Sequence, residues 1–263
     1  MAILRCERKL PRCQRHSWKR TGLNSSTTPP ASRRGAQNEL PRFGEPTHRI
    51  QQLFLENWNY SGGAFKLGAH NAANYFPAAR VGEGIPMQII SSGPDDLYAP
   101  MHAFFLAALS TARDRVLIET PYLIPDEPLE TALRIAELRG VDVQVIVPKH
   151  GDSKLVTAAS HTYCDSLRKA GIKVWEYGPP MLHAKTMVID ETVAVVGTAN
   201  LDNRSFRLNF EIAAAFYDKD VIAKLVKRFE IDREASRPFP ARKRSEKLTA
   251  LLESIARLTS PVL

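Results

Sequence analysis

The stretch "MLHAKTMVIDETVAVVGTANLDNRSF", residues 181–206, decides how this chain is read. Taken as a strand, "HAKTMVI" alternates its side chains, so His183 and Lys185 share one face while Ala184 and Thr186 take the other. "DET" at 190–192 has the make-up of a hairpin turn. The returning strand then brings Thr198 and Asn200 back alongside Lys185 and His183. An imidazole, an ammonium, a hydroxyl and a carboxamide are thus expected at one end of one hairpin.

Such a set suits a phosphodiester. Lysine and the asparagine amide supply donors to the non-bridging oxygens, whose charge must be held as phosphorus becomes five-coordinate. Histidine can attack phosphorus or protonate a departing alkoxide. No metal and no cofactor is called for, and the hairpin offers no second ligand at metal-binding spacing. Asp190 has the wrong parity and falls at the turn, which gives it a structural or indirect tuning role. Glu211, heading the apolar strand "EIAAAFY", needs a partner for its carboxylate, and His183 Nδ1 is the expected one. The other histidines, His16, His48, His70, His102, His150 and His161, belong to no such pattern and are read as non-catalytic.

Around this hairpin the chain alternates helical and strand-like segments from Ile50 onward, the mark of a layered α/β domain. Strands are expected from residues 86, 115, 141, 172, 183, 193 and 211. Helices are expected over 97–112, 127–139 and 153–170, the last ending at Gly171. A further amphipathic helix follows Tyr217. The final stretch places Leu248, Leu251, Leu252, Ile255 and Leu258 on one stripe behind Arg242, Lys243 and Arg244. It reads as a C-terminal amphipathic helix over 241–263 that closes the core or touches anionic lipid. Residues 1–48, rich in Arg, Ser and Pro without apolar periodicity, read as a disordered basic leader, leaving 49–240 as the catalytic domain.

The chain's net charge of +8 is concentrated in that leader. Residues 1–50 hold eleven Lys and Arg against three acids, and the rest of the 263 residues holds twenty-five of each. Net charge therefore gives the folded part no nucleic-acid signature. Cys6, Cys13 and Cys164 fit no zinc spacing and, being odd in number, no disulfide scaffold, so a reducing compartment is the expectation. No apolar run reaches the roughly 18 residues of a transmembrane helix.

"HAKTMVID" followed by "GTAN" resembles the HKD motif of the phospholipase D superfamily, H-x-K-x4-D with G-[ST]-x-N. "SSGP" at 91, "ETPYLIPDEPLETAL" at 119, "GTANLDNRSFRLNFE" at 197 and "SIARLTSPVL" at the end are similar to the C-terminal half of bacterial cardiolipin synthases. The resemblance runs from about Ile50, where "IQQLFLENWNYSGG" is similar to the segment after the family's first motif, to Leu263. It implies an α-β-α sandwich around a mixed sheet and transesterification through a phosphohistidine. Two HKD copies meet at one site in that family, one histidine taking the phosphatidyl group and the other acting as acid and base. By position His183 corresponds to the second. Lys185 and Asn200 carry over as phosphate clamp, Glu211 as histidine orienter, and Thr198 stands where the family often has serine.

No second H-x-K-x4-D occurs in the sequence, and residues 1–48 match neither the family's first motif nor its membrane-spanning helices. The resemblance implies a phosphatidyltransferase that joins two phosphatidylglycerol molecules, docked peripherally on the cytoplasmic face of the bacterial inner membrane against anionic lipid. The second histidine must come from a homodimer or from another chain. A homodimeric single-motif phosphodiesterase, phospholipase or nuclease, and an inactive fragment are the alternatives, with nucleic acid disfavoured by the neutral folded part.

Overall fold

The computed structural model describes residues 45–68, 70–76 and 84–241. The chain divides into two compact units at Ile89 and Ile90. In the first, helix α1 spans Glu45–Tyr60 and a single turn, α2, spans Ala72–Tyr75. Helix α1 starts inside the stretch read as leader, with Pro46 in its first turn, where the missing N–H costs nothing. The earlier part of the leader and the apolar stripe after Arg242 lie outside the described residues.

The second unit is built on an eight-stranded mixed sheet in the order β1-β9-β7-β6-β2-β4-β5-β10. Its elements are β1 (Met87–Ser92), α3 (Pro100–Thr111), β2 (Arg115–Glu119), β3 (Leu123–Ile124), α4 (Glu127–Leu138), β4 (Asp142–Pro148), α5 (Lys154–Lys169) and β5 (Lys173–Tyr177). There follow β6 (Thr186–Ile189), β7 (Val193–Gly197), β8 (Leu201–Asp202), α6 (Asn203–Arg207), β9 (Glu211–Phe216), α7 (Lys219–Glu234) and β10 (Ser236–Pro238). Strands β2, β4 and β5 run parallel, linked through helices as crossovers require, and β6, β7 and β9 pair antiparallel beside them. Every strand and long helix expected between residues 86 and 235 is present. The two-residue pair β3–β8 and the edge strand β10 are additions. They are too short to give a periodic signal, and only the completed sheet offers them a partner.

Helix ends follow local chemistry. Asp126, Ser153, Asp202 and Asp218 each accept a backbone amide at the start of a helix. On one face of the sheet, Leu117, Ile146, Val188 and Ala194 pack with Leu182 and with Ile222 and Phe229 of α7. Helix α4 contacts β4, α5 contacts β5, and α3 contacts both β6 and α4. The result is the expected α-β-α layering.

Beneath the α7 side the core holds two carboxylates. Glu119, 3% exposed, accepts a hydrogen bond from Thr186 Oγ1 at 2.8 Å. Asp232, 2% exposed, lies close enough to share a proton with it and is held by Arg228 at 2.6 and 2.7 Å. Burial, reinforced by the Asp232 charge, pushes the Glu119 carboxyl up to about 7, against the Thr186 hydrogen bond and the more distant Arg228 charge. A raised acid favours folding while protonated. Its contribution is full below pH 4.5, falls as pH rises to about 7, and is gone above, a loss of about 3 kcal/mol at most. Glu119→Gln should therefore melt near wild type at pH 5 and several degrees above it at pH 8. Equal wild-type and variant melting temperatures at pH 8, measured by circular dichroism, would contradict the shared proton.

Candidate active site

The β6–β7 hairpin forms with the turn where the sequence puts it. Asp190 takes a left-handed conformation, φ 51°, and Thr192 N donates to Ile189 O at 3.1 Å. The regular strand, however, begins at Thr186 rather than at His183. Thr186 pairs with Val196, and the Gly197 amide donates to the Lys185 carbonyl at 3.1 Å, so Gly197 and not Thr198 stands opposite Lys185. Beyond Gly197 the returning chain leaves this hairpin: Thr198 N donates to Ile212 O at 2.9 Å, and Leu201 joins β3. With no partner across from them, His183 and Ala184 stay outside the ladder. The expected clustering survives, because the polar groups still gather at this end.

His183 is exposed, and its Nδ1 lies 3.3 Å from Lys185 Nζ, which is equally near the His183 carbonyl. The imidazole and the ammonium thus stand side by side at one end of the hairpin. Partial burial pulls the Lys185 pKa down, while the charges of Glu211 and Asp202 pull it back up. The lysine thus remains a cation facing two acids.

Glu211 is where the structure departs from the sequence expectation. Its two oxygens are taken by the Thr198 hydroxyl and by Asn209 Nδ2 at 3.0 Å, and not by His183. Asn209 sits two residues upstream on the chain's approach to β9, and Thr198 lies across the β7–β9 ladder opposite Ile212, the residue after Glu211. Thr198 therefore holds Glu211 rather than pointing freely at a ligand, and its Oγ1 also accepts from Ile212 N at 3.0 Å.

The Asn200 carboxamide bonds to the buried Asp202 carboxylate, leaving Asn200 Oδ1 with no partner. Burial pushes the Asp202 carboxyl up, opposed by the Ser205 amide at 2.6 Å and by the Ser205 and Asn200 side chains. Asp202 escaped sequence reasoning, although "NLDNRS" carries an N-cap signature. Tyr122 and Asp152 escaped it as well, because nothing local joins residues thirty positions apart.

Asp190 is not at this site. The four residues of β6 put it about 13 Å from the Lys185 end. Its buried carboxylate accepts the amides of Arg113, Asp114 and Arg115 at 3.0, 2.9 and 2.8 Å. That is the structural role its parity suggested, and it removes Asp190 from the candidate catalytic set. Similarly His102 is buried between Asp126, at 2.9 Å, and the Phe206 ring.

The family described as cardiolipin synthase, phospholipase D-like domain, matches residues 105–233, which include the whole hairpin and Glu211. Residues 105–233 are thus similar to a phospholipase D-like domain. The major cardiolipin synthase ClsA of Bacillus subtilis strain 168 is 40% identical over 222 residues, covering 84% of this chain and 46% of the relative. The cardiolipin synthase of Oceanobacillus iheyensis is 38% identical over 223 residues, with the same coverage. The chain thus spans about half the length of the relatives it matches. Among solved structures, the phosphatidylserine synthase of Haemophilus influenzae Rd KW20 aligns with a TM-score of 0.55 at 16% identity, covering 71% of this chain and 50% of that one. Nuc, a phospholipase D family member from Salmonella typhimurium, aligns at 0.50 and 19% identity, covering 58% of this chain and 96% of that one. At these identities the structures establish the layered fold alone.

Asp190→Ala leaves three amides without their charged acceptor and should lower stability by about 3 kcal/mol. A thermal melt shifted by less than a degree would mean that water replaces the carboxylate.

Proposed function

We propose that this chain carries one half of a cardiolipin synthase-like phosphatidyltransferase that acts on phosphatidylglycerol, its site completed by a second HKD motif. The observation that carries the reading is the gathering of His183, Lys185, Asn200 and Glu211 with a single histidine, in a chain matching about half of its cardiolipin synthase relatives. In the reaction, an imidazole nitrogen attacks the phosphorus of one phosphatidylglycerol, the bond to its headgroup glycerol breaks, and the second histidine protonates the leaving alkoxide. A hydroxyl of a second phosphatidylglycerol then attacks the phosphohistidine. Its proton passes to the second histidine, and the P–N bond breaks to give cardiolipin.

His183, exposed beside Lys185, is suited to the acid and base role, giving a proton as imidazolium and taking one up as imidazole. Lys185 holds the phosphoryl charge, and Asn200 fixes the same oxygens with its remaining amide hydrogen. Glu211 orients an imidazole once a second HKD motif completes the site, giving up Thr198 or Asn209. No helix among the described residues is long and apolar enough to cross a membrane. Docking of the described domain on the cytoplasmic face, against anionic lipid, belongs to the same proposal. A homodimeric phosphodiesterase built from two copies of His183 is the second reading, favoured by the alignment that covers nearly all of Nuc.

His183→Ala should reduce transfer by at least 10³-fold, and Lys185→Ala by roughly 10²–10³-fold, with both proteins folded. Radiolabelled phosphatidylglycerol separates the readings: cardiolipin and glycerol appear for a transferase, phosphatidic acid for a hydrolase. Titrating His183→Ala chains into wild type tests the assembly. Loss steeper than the wild-type fraction indicates two copies of His183 at one site, whereas proportional loss points to a partner chain with its own histidine. EDTA should leave the activity unchanged, because histidine and lysine supply the nucleophile and the charge. Inhibition reversed by a divalent cation would overturn that mechanism.

A further inference from the structure

The mechanism above leaves Tyr122 and Asp152 unused, although both stand beside the site. Tyr122 directly precedes β3, whose Leu123 pairs in parallel with Leu201, so Tyr122 is level with Asn200. Thr120 locks that level: its hydroxyl donates to the Tyr122 carbonyl at 2.8 Å and accepts from Leu201 N at 3.2 Å. Asp152 lies on the loop between β4 and α5. This loop is tied to the start of the His183 segment by Lys149 N donating to Tyr177 O at 2.8 Å, and is braced by Gly151 N on Thr157 Oγ1 at 3.2 Å. The two side chains meet where the Tyr122 phenol donates to Asp152 Oδ1 at 2.6 Å.

The charge environment sorts what this pair can receive. Asp152 is exposed and within electrostatic reach of His183, and Tyr122 is within reach of Asp202. The phenol hydrogen bond, helped by the loop's own amides, holds the Asp152 carboxyl below the usual range. Burial and that same bond push the Tyr122 hydroxyl up to about 12. The pair thus stays a carboxylate with a neutral phenol at neutral pH. A carboxylate repels phosphate, so it cannot extend the Lys185 clamp. With the phenol proton already committed to Asp152, both oxygens present lone pairs to the site. Two adjacent acceptors match two adjacent hydroxyl donors, whereas an ammonium would use only the charge.

Resting on the phosphatidyltransferase reading, we propose that Tyr122 and Asp152 form the headgroup subsite, binding the vicinal diol of a glycerol headgroup while Lys185 and Asn200 hold its phosphate. The pair determines specificity rather than catalysing the reaction, and it selects polyol headgroups over simple alcohols of the same length.

The test is a ligand-observed NMR titration of the full chain with two short-chain lipids below their micellar concentrations: dihexanoyl phosphatidylglycerol and dihexanoyl phosphatidylpropanol, which lacks both headgroup hydroxyls. Wild type should bind the glycerol lipid about tenfold more tightly, the scale of one charge-assisted hydrogen bond. Asp152→Asn should bring that ratio to within twofold without weakening binding of the propanol lipid. Tyr122→Phe should lower the ratio in the same direction. Lys185→Ala should weaken both lipids equally. Circular dichroism melts confirm that each variant is folded. Equal affinity of wild type for the two lipids, or an unchanged preference in folded Asp152→Asn, overturns the headgroup subsite alone. Failure of wild type to bind either lipid, or a Lys185→Ala chain that binds both as wild type does, overturns the phosphate site and the subsite built upon it.

Discussion

A single buried carboxylate fixes the geometry on which the site depends. Asp190 gathers three consecutive amides at the entry to β2 and so anchors the turn of the β6–β7 hairpin to its neighbouring strand. With that end fixed, the ladder sets Thr186 against both Glu119 and Val196. A one-residue slip would turn Lys185 into the core. The motif aspartate therefore acts on the chemistry through register, from the opposite end of a four-residue strand.

The site end of the hairpin is kept open by competition for partners. Thr198 is drawn to β9, Leu201 to β3, and the loop carrying His183 is left exposed beside Lys185. Acids surround the lysine, with Glu211 and Asp202 buried and both partly neutralised by hydrogen bonds from Thr198, Asn209, Ser205 and Asn200. The proposed phosphodiester would meet a cation that no single carboxylate neutralises. The Asn200 oxygen without a partner and the exposed imidazole leave this end of the hairpin open.

Stability and chemistry meet at Thr186. Its hydroxyl holds Glu119 in the core, while its neighbour Lys185 faces the site. The Glu119–Asp232 pair thus couples the packing of α7 to the strand that presents the lysine, and the protonation of that pair bears on both.

The sequence by itself determined the identity of the chemical groups and the local elements. H-x-K-x4-D, the 190–192 turn, the period-two strands and the helix caps are local patterns, and the hairpin with His183 and Lys185 at one end and Asp190 at its turn could be read from them. It could not determine which groups pair. Glu211 binds Thr198 and Asn209 instead of His183, Tyr122 meets Asp152 across thirty residues, and Glu119 meets Thr186 across sixty-seven. These choices follow from which strands become neighbours in the finished sheet. A hydrogen bond is made with the closest geometrically suitable partner, and only tertiary structure decides which residue that is.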